Sequence, residues 1–313
     1  MDKKKWIKHI PLFILELIVL IAAAGALYVV LRTTGKNGVK KDRIDTEHIA
    51  VNEEVKEKIQ EEENGEGEET KTYTGVYNIA FFGVDARDEN LGKGNNRSDT
   101  IMLCSIDMDK HDVRLISIYR DTYLNLGNDT YNKCNAAYAK GGPEMALGMI
   151  NMNTDLYVTD YITVGFEGLM EAVDALGGVE IDVKENEISH LNNYQISMAG
   201  TSEDQKTFTA TAGVDYEPVT EPGLQTLNGL QATAYCRIRY VGDDFERTKR
   251  QRDVLIAMME KAKGASVGTL MSAMNAVLPH VVTSIDVEDI AAVLSKVGDY
   301  KVTVSDGFPF AGM

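Results

Sequence analysis

Hydrophobic and polar positions divide the chain into three parts. Residues 10–31 are apolar apart from Glu16, and as a helix they would reach about 33 Å, enough to cross the hydrocarbon core of a bilayer. Residues 32–75 are charged and poor in large apolar side chains. From residue 76 onward, short apolar segments alternate with amphipathic ones, a pattern that is typical of a folded α/β domain.

The pattern in the last part predicts strands and helices in alternation. The predicted strands are 77–84, 100–107, 112–118, 157–164, 179–183, 234–240 and 300–304. The predicted helices are 143–151, 166–176, 223–234, 247–263, 267–278 and 287–297. Residues 185–217 are polar, and no regular element is predicted there. We therefore predict a layered α-β-α domain with a central mixed sheet that carries helices on both faces.

The N-terminal part is predicted to be a signal anchor whose N-terminus lies in the cytoplasm. Lysines among residues 3–8 precede the apolar segment and favour this orientation, whereas basic residues after the segment oppose it. A cleaved signal peptide is the alternative, since residues 22–24 are small, but the apolar segment is too long for one. The predicted organisation is a cytoplasmic tail at 1–9, a transmembrane helix at 10–31, an extracytoplasmic stalk at 32–75 and a folded domain at 76–313.

Charge and motif content exclude several classes of protein. The formal net charge of −16 argues against a nucleic-acid partner, which requires a basic surface, but it leaves room for a local basic pocket. The sequence contains no Walker loop, GxGxxG, GxSxG or HExxH motif. The cysteines Cys104, Cys134 and Cys236 are too few for a disulfide scaffold and are interpreted as buried thiols. A disulfide between Cys104 and Cys236 stays an open alternative.

Arginine and aspartate residues cluster where predicted strands end. Any one of them alone would be interpreted as a surface ion pair, worth about 0–1 kcal/mol. Together, in an acidic protein, they indicate a polyphosphate site, because guanidinium groups bind phosphate oxygens bidentately. Two features strengthen this: alternate residues of the predicted strand 234–240 point the same way, and the predicted helix 247–263 offers an N-terminus that favours anions. The residues concerned are Asp85, Arg97, Asp99, Arg120, Arg237, Arg239, Arg247, Arg250 and Gln251. Carboxylates beside a diphosphate also suggest a divalent cation, with Mg²⁺ as the natural choice.

Taken in order, these motifs resemble the LytR-CpsA-Psr family. The motifs are GVDAR at 83–87, RSDT at 97–100, SIYRDT at 117–122, NAAY at 135–138 with the glycines at 141–142, RIRY at 237–240 and ERTKRQ at 246–251. Two positions depart from the family pattern: Tyr119 stands where proline is usual, and Glu246 stands where glycine is usual.

The resemblance implies a fold, an activity and a location. Members transfer a glycopolymer, such as wall teichoic acid or capsular polysaccharide, from a polyprenyl-diphosphate carrier to a muramic-acid hydroxyl of peptidoglycan. The lipid would occupy a hydrophobic tunnel, with the diphosphate at its mouth. The expected location is the cell membrane of a Gram-positive-type envelope, in contact with membrane lipid, with one transmembrane segment and an extracytoplasmic domain.

The resemblance also implies roles for the clustered residues. Asp85 and Asp99 match the Mg²⁺ and catalytic centre, with Asp99 as the first choice of base, Asp85 as the second, and Arg120 as a further catalytic residue. The diphosphate would be bound by Arg97, Arg120, Arg237, Arg239, Arg247, Arg250 and Gln251. Two alternatives stay open: a polyprenyl-diphosphate phosphatase, and a non-catalytic polyprenyl-diphosphate sensor. A transcription regulator is disfavoured, because nine cytoplasmic residues are too few for a helix-turn-helix.

Overall fold

The computed structural model describes residues 40–42, 44–57, 75–84, 91, 96–201, 208–286 and 298–310. They all belong to the unit Lys40–Met313. Within them, no helix is long and apolar enough to cross a membrane. The predicted transmembrane segment 10–31, the predicted helix 287–297 and Asp85 lie outside the described residues.

The central sheet combines parallel and antiparallel strand pairs, which confirms the predicted mixed sheet. Its seven strands run in the order β1-β10-β7-β2-β3-β4-β11, and two further ribbons pair β5 with β6 and β8 with β9. The strands are β1 (Lys40–Lys41), β2 (Val76–Val84), β3 (Ser98–Asp107), β4 (Asp112–Ile118), β5 (Tyr123–Asn125), β6 (Tyr131–Lys133), β7 (Asp160–Val164), β8 (Val179–Val183), β9 (Gly223–Leu227), β10 (Val281–Thr283) and β11 (Lys301–Phe308).

Six helices of the described residues cover this sheet and its ribbons. They are α1 (Ala136–Thr154), α2 (Phe166–Ala175), α3 (Glu185–Ala199), α4 (Gly229–Arg237), α5 (Asp244–Lys263) and α6 (Val267–Val277). The helix predicted at 143–151 corresponds only to the second half of α1, because a kink at Gly141 and Gly142 divides this helix. Gly142 has a φ of 64°, a left-handed conformation that glycine adopts without a side-chain clash.

The two faces of the sheet pack against different helices because side chains alternate along each strand. On one face, the ring of Phe82 packs against the ring of Tyr138 of α1, with the two ring centroids 5.3 Å apart. On the other face, Met102 and Cys104 belong to a cluster that includes Leu255 of α5. The sheet therefore has a helix on each face, and α5 lies on the face opposite α1.

A second hydrophobic core lies beside the sheet, under the β8–β9 ribbon. Val179 and Leu227 of the ribbon pack with Leu191 of α3 and Val254 of α5. The prediction of irregular structure at 185–217 is wrong for α3. This helix is mostly polar and buries few side chains, so its hydrophobic periodicity is too weak to detect. Its start is fixed by Glu187, whose Oε2 accepts a hydrogen bond from the backbone N–H of Lys184 at 2.9 Å.

The prediction of a helix at 223–234 followed by a strand at 234–240 is also wrong. In the structure a strand comes first and a helix follows it. Residues Gly223–Leu227 form β9, and α4 follows it. A capping box sets the helix start: Asn228 Oδ1 accepts from the Gln231 backbone N–H, and Gln231 Oε1 accepts from that of Asn228, both at 2.9 Å. Two reciprocal hydrogen bonds of this kind satisfy helix N–H groups that would otherwise lack partners.

The predicted boundary between stalk and domain at residue 76 is too late. Strand β1 pairs in parallel with β10, and Tyr161 donates a hydrogen bond to Asp42 Oδ2 at 3.0 Å. Ile49 is buried in the main core. Residues 40–57 therefore contribute to the fold in their described part, although their polar composition resembles a linker.

The three cysteines are free and buried, so the alternative of a Cys104–Cys236 disulfide is not what the structure shows. Burial raises the pKa of each thiol to about 12.

We expect alkylation of the folded chain by iodoacetamide at pH 8 to be at least roughly a hundredfold slower than in denaturant, because the thiolate is the reactive species. Mass spectrometry would follow the labelling, and rapid modification of any one thiol of the folded chain would contradict the buried assignment.

Two leucines test where the core lies. Leu147 of α1 is completely buried, whereas Leu224 of β9 is 70% exposed. Leu147→Ala should lower the free energy of unfolding by about 2–5 kcal/mol, since it removes buried methyl groups and leaves a cavity. Leu224→Ala should change it by less than about 0.5 kcal/mol. Urea titration followed by circular dichroism would measure both values, and equal losses would refute the packing described for α1.

Candidate functional site

The candidate site lies at one edge of the sheet, where four elements of different chain position meet. Strand β3 begins there, with Asp99 as its second residue, and the antiparallel β4 ends there, two residues before Arg120. Arg239 lies in the segment between α4 and α5, and Arg247 lies near the start of α5. Neighbouring antiparallel strands bring the start of one and the end of the other to the same edge. The topology therefore unites residues that are far apart in sequence.

Asp99 is the centre of the polar contacts in this site. Arg120 Nη1 donates to Asp99 Oδ1 at 2.6 Å, and Arg239 Nη2 donates to Asp99 Oδ2 at 3.1 Å. Arg247 Nη2 lies 2.6 Å from Asp244 Oδ1 and 3.5 Å from the backbone oxygen of Asp99. Two guanidinium groups thus contact the Asp99 carboxylate, and a third, that of Arg247, lies beside its backbone oxygen.

Several polar atoms of the site are buried without a hydrogen-bond partner in the described part of the chain. The Arg247 side chain is only 2% exposed, yet its Nε and Nη1 atoms have no acceptor. The same is true of Arg120 Nε, Asp244 Oδ2 and Gln251 Oε1. Burial lowers the pKa of Arg247, an effect opposed by Asp244 and reinforced by Arg120. Because unpaired buried donors are costly, the free N–H groups of Arg247 and Arg120 are suited to an anionic ligand, whereas the two unpaired oxygens of Asp244 and Gln251 would need a donor.

An apolar cavity of about 410 Å³ opens beside these arginines. Its polar lining includes Asp99, Arg120, Arg237, Arg239, Arg247 and Gln251. Its apolar lining includes Phe81, Phe82, Val84, Val164, Phe166, Leu169, Tyr194, Val254 and Leu255. The site therefore combines an anion-binding mouth with an apolar interior, an arrangement that matches an amphiphile with an acidic head group.

Arg237 connects the two halves of the cavity. It is the last residue of α4 and does not lie on a strand, so the argument that it shares a strand face with Arg239 is wrong, although both residues line the cavity. Its guanidinium carbon lies 4.5 Å from the ring centre of Phe166 and 5.6 Å from that of Tyr194. Cation–π contacts of this kind hold a charged group against an apolar wall.

Two further predicted residues do not line the cavity in its described part. Arg97 precedes β3 and is exposed. Arg250 is buried in the second core, where its Nε donates to Glu187 Oε1 at 2.7 Å and its Nη2 donates to the Val241 backbone oxygen at 2.7 Å. The structure thus directs Arg250 away from the cavity lining. Asp85 lies outside the described residues, and its predicted role stays a prediction.

Helix α5 begins earlier than predicted, and this changes how the site attracts an anion. The helix starts at Asp244, and Asp243 caps it by accepting a hydrogen bond from the Glu246 backbone N–H at 3.1 Å. The first turn also carries acidic side chains. Positive charge at the mouth therefore comes from guanidinium groups, not from open N–H groups at a helix end.

Sequence reasoning missed Asp244 and the aromatic lining. Asp244 orients Arg247 from one helical turn away. The available signal was a carboxylate three residues before an arginine, although residue 244 lies just ahead of the predicted helix 247–263. Phe166 and Tyr194 carried no such signal, because their elements are distant in sequence from the arginine motifs.

Carboxylates that could hold a divalent cation are few in the described part of the chain. No group of three or more His, Cys, Asp or Glu side chains there is arranged to bind a metal. Asp99 is the one acidic residue that lines the cavity in its described part. Carboxylate oxygens are suitable Mg²⁺ donors, and Mg²⁺ commonly uses only one or two of them together with substrate phosphates. The Asp99 carboxylate is of the right chemical type, and both its oxygens accept hydrogen bonds from arginines in the structure. A Mg²⁺ site at Asp99 and Asp85 stays a prediction.

Fold and site together define an α/β protein with an arginine-lined anion site at the mouth of an apolar cavity. The chain belongs to the LytR_cpsA_psr family, whose model matches residues 41–306. This confirms the resemblance drawn from the ordered motifs, and the match begins at β1 rather than at residue 76.

Relatives and solved structures agree with this assignment. A protein of Oceanobacillus iheyensis named as a polyisoprenyl-teichoic acid–peptidoglycan teichoic acid transferase is 28% identical over 94% of this chain and 81% of its own length. Biofilm regulatory protein A of Streptococcus mutans is 29% identical over 71% of this chain, which spans about half, 53%, of that protein. The Bacillus subtilis protein YwtF (TagT), solved with bound octaprenyl pyrophosphate lipid, is similar in fold, with a TM-score of 0.54, 20% identity and coverage of 78% of this chain and 80% of its own.

Two arginines on α5 separate a structural role from a ligand-binding one. Arg250→Met should lower the free energy of unfolding by about 3–5 kcal/mol, because it leaves the buried Glu187 charge unpaired. Arg247→Met should change it by less than about 1 kcal/mol, since the loss of the ion pair with Asp244 is offset by the removal of two buried nitrogens that lack acceptors. Urea unfolding of the two variants measures the difference. A loss for Arg247→Met equal to that for Arg250→Met would show that Arg247 is a structural residue.

Proposed function

We propose that this protein transfers a glycopolymer from a polyprenyl-diphosphate carrier to a muramic-acid hydroxyl of peptidoglycan. The observation that carries the proposal is the group of unpaired, buried arginine nitrogens at the mouth of an apolar cavity. A polyprenyl diphosphate has the two matching parts, an apolar chain and a compact polyanion. The names of the relatives and the lipid held by the Bacillus subtilis structure support the same assignment.

The proposed reaction replaces a phosphoanhydride bond by a phosphate ester bond. The muramic-acid hydroxyl oxygen attacks the phosphorus that carries the glycopolymer, and a P–O–C phosphodiester bond forms. The phosphoanhydride bond to the second phosphorus breaks, and polyprenyl phosphate leaves with its electron pair. No nucleoside triphosphate is required, because the diphosphate linkage supplies the driving force. Catalysis of phosphoryl transfer depends mainly on positioning and on neutralising charge.

The arginines would supply that positioning and charge. Arg120, Arg239 and Arg247 would bind the diphosphate oxygens, while Arg237 would hold the junction between the diphosphate and the lipid. Gln251 lines the same cavity. Arg250 would act through the fold, by fixing α5 against α3. A contribution from Arg97 also stays part of the proposal.

Asp99 is the proposed base that accepts the proton of the attacking hydroxyl, with Asp85 as the second choice. In the structure, Arg120 and Arg239 donate to the two oxygens of Asp99. A bound diphosphate would compete for these two arginines, because its oxygens carry more negative charge. Donor binding would then release Asp99 toward the acceptor, so that base and substrate become available together.

Mg²⁺ is proposed as a cofactor of this site. Asp99 and Asp85 would hold the ion, which when bound would neutralise part of the diphosphate charge.

The localisation is a proposal as well: residues 10–31 would anchor the protein in the cell membrane of a Gram-positive-type envelope, with the domain outside the cytoplasm. Anchoring would keep the site on the surface that carries the lipid-linked donor. Teichoic acid and capsular polysaccharide are both possible polymers.

A transfer assay tests the proposal with a matched pair of arginine variants. The full chain in detergent would be incubated with Mg²⁺, a polyprenyl-diphosphate-linked saccharide and peptidoglycan oligomers, and the phosphodiester conjugate would be measured by mass spectrometry. Arg120→Ala should lower the rate by about 10²–10³-fold, the usual effect of removing one charged group that stabilises a transition state. Asp99→Asn should lower it at least as much.

The control is Arg114→Ala, which removes an exposed arginine of the same strand, β4, and should leave the rate unchanged. Release of saccharide phosphate without conjugate would replace the transferase by a phosphatase. Tight donor binding with neither product, in the presence of acceptor, would instead identify a sensor.

A further inference from the structure

The β5–β6 ribbon presents a pair of exposed aromatic rings. The Tyr123 and Tyr131 rings are stacked, with centroids 6.1 Å apart and an interplanar angle of 27°. The two residues are 68% and 57% exposed. The strand register places Lys133 opposite Tyr123 and Asn125 opposite Tyr131, so the two tyrosines lie diagonally on one face of the ribbon. A continuous aromatic surface therefore faces solvent.

This surface rests on a rigid base. Leu126 is fully buried and Leu124 packs against the main core, so the ribbon is anchored on the side opposite the tyrosines. Asn153 of α1 holds the ribbon through both backbone groups of Asn125: its Oδ1 accepts from the N–H at 3.2 Å, and its Nδ2 donates to the carbonyl at 2.7 Å. Rings on such a base lose little conformational entropy when a ligand packs against them.

A chain of ion pairs connects the aromatic surface to the arginine site. Lys133, which shares the ribbon face with the tyrosines, donates to Asp121 at 2.9 Å. The Asp121 carboxylate lies 3.9 Å from Arg120 Nε, and Arg120 donates to Asp99 at 2.6 Å. The surface is therefore continuous with the mouth of the cavity on the side of Arg120.

We propose that Tyr123 and Tyr131 bind the glycan strand of the peptidoglycan acceptor, a proposal that rests on the transferase function above. Sugar rings have apolar C–H faces that pack on aromatic rings, and their hydroxyl groups accept hydrogen bonds from neighbours such as Lys133, which lies on the same face of the ribbon. A stacked pair of exposed tyrosines beside a charged side chain matches this mixed character. The acceptor hydroxyl would thereby be held next to Arg120 and Asp99.

The direction of attack favours the acceptor over the donor as the occupant. In phosphoryl transfer the attacking and leaving oxygens lie roughly in line with phosphorus. The leaving polyprenyl phosphate would occupy the apolar cavity between Phe166 and Tyr194. The acceptor then has to approach from the opposite, open side of the mouth. The ribbon does not contribute to the described cavity lining and adjoins the mouth through Arg120, so it lies where an acceptor chain would pass.

The test measures acceptor and donor binding separately on the full chain in detergent. The probes are a soluble, uncrosslinked peptidoglycan glycan oligomer and a polyprenyl-diphosphate-linked saccharide, with Kd from calorimetry and KM for each from the transfer assay. Tyr123→Ala/Tyr131→Ala should raise the Kd and KM of the oligomer about tenfold or more and leave the Kd of the donor unchanged. Tyr123→Phe/Tyr131→Phe keeps the rings and should restore most of the affinity. Leu224→Ala, equally exposed on the β8–β9 ribbon, should have no effect on either ligand.

Each outcome distinguishes this surface from the transferase function. Unchanged oligomer affinity in the alanine variant, with transfer intact, would overturn the surface and leave the function standing. Weaker donor binding with unchanged oligomer binding would reassign the tyrosines to the donor glycan and so overturn the proposal. Loss of oligomer binding in a chain that shows no transfer would support the surface while the function failed.

Discussion

Arg247 keeps its positive charge where water is almost excluded and where protein acceptors satisfy only part of its guanidinium group. A fully paired arginine at this position would stabilise the fold more, but it would have nothing to offer a ligand. Asp244 fixes one edge of the group, while Arg120 and Arg239 add charge of the same sign nearby. The arrangement is stable only because the surrounding layers are rigid enough to hold like charges together. The proposed affinity for a polyanion would thus come at the expense of local stability.

Helix α5 carries three buried arginines, and each of them has a different role. Arg247 faces the cavity, Arg250 pairs with Glu187 in the second core, and Arg252 donates to Ser117 on β4 and Ser305 on β11. Successive positions on a helix are rotated by about 100°, so these residues leave the axis in different directions. One helix thereby joins the ribbon layer to the sheet and also positions the anion site between them.

The structure brings some of the candidate site residues together for reasons that the sequence contains. Asp99 and Arg120 lie near the ends of strongly apolar strands, which are easy to recognise, and they contact each other in the fold, whereas their roles stay predictions. Arg237 and Arg239 were placed at the cavity for a wrong reason, since the segment is a capped helix followed by a loop. Their position follows from the packing of α4 on its neighbours, which no local pattern records. Arg250 carries the same charge as Arg247, and only the burial of Glu187 on a distant helix distinguishes the two.

Weakly patterned segments were the main source of error. Helix α3 is polar along most of its length, and residues 40–57 resemble a linker, so neither shows a clear hydrophobic period. Both are held by contacts with parts of the chain that are remote in sequence, such as Tyr161 with Asp42. Tertiary contacts of this kind override local propensity.

Burial of the thiols determines which redox conditions the domain tolerates. Cys104, Cys134 and Cys236 are all enclosed by apolar neighbours, and no covalent cross-link contributes to the fold. The finished domain therefore neither requires an oxidant to mature nor loses stability in a reducing medium. Its vulnerability is confined to the time before the core closes, when the thiols can still react with one another. Enclosure of the three thiols between the sheet and its helices is the protection against oxidation that this architecture provides.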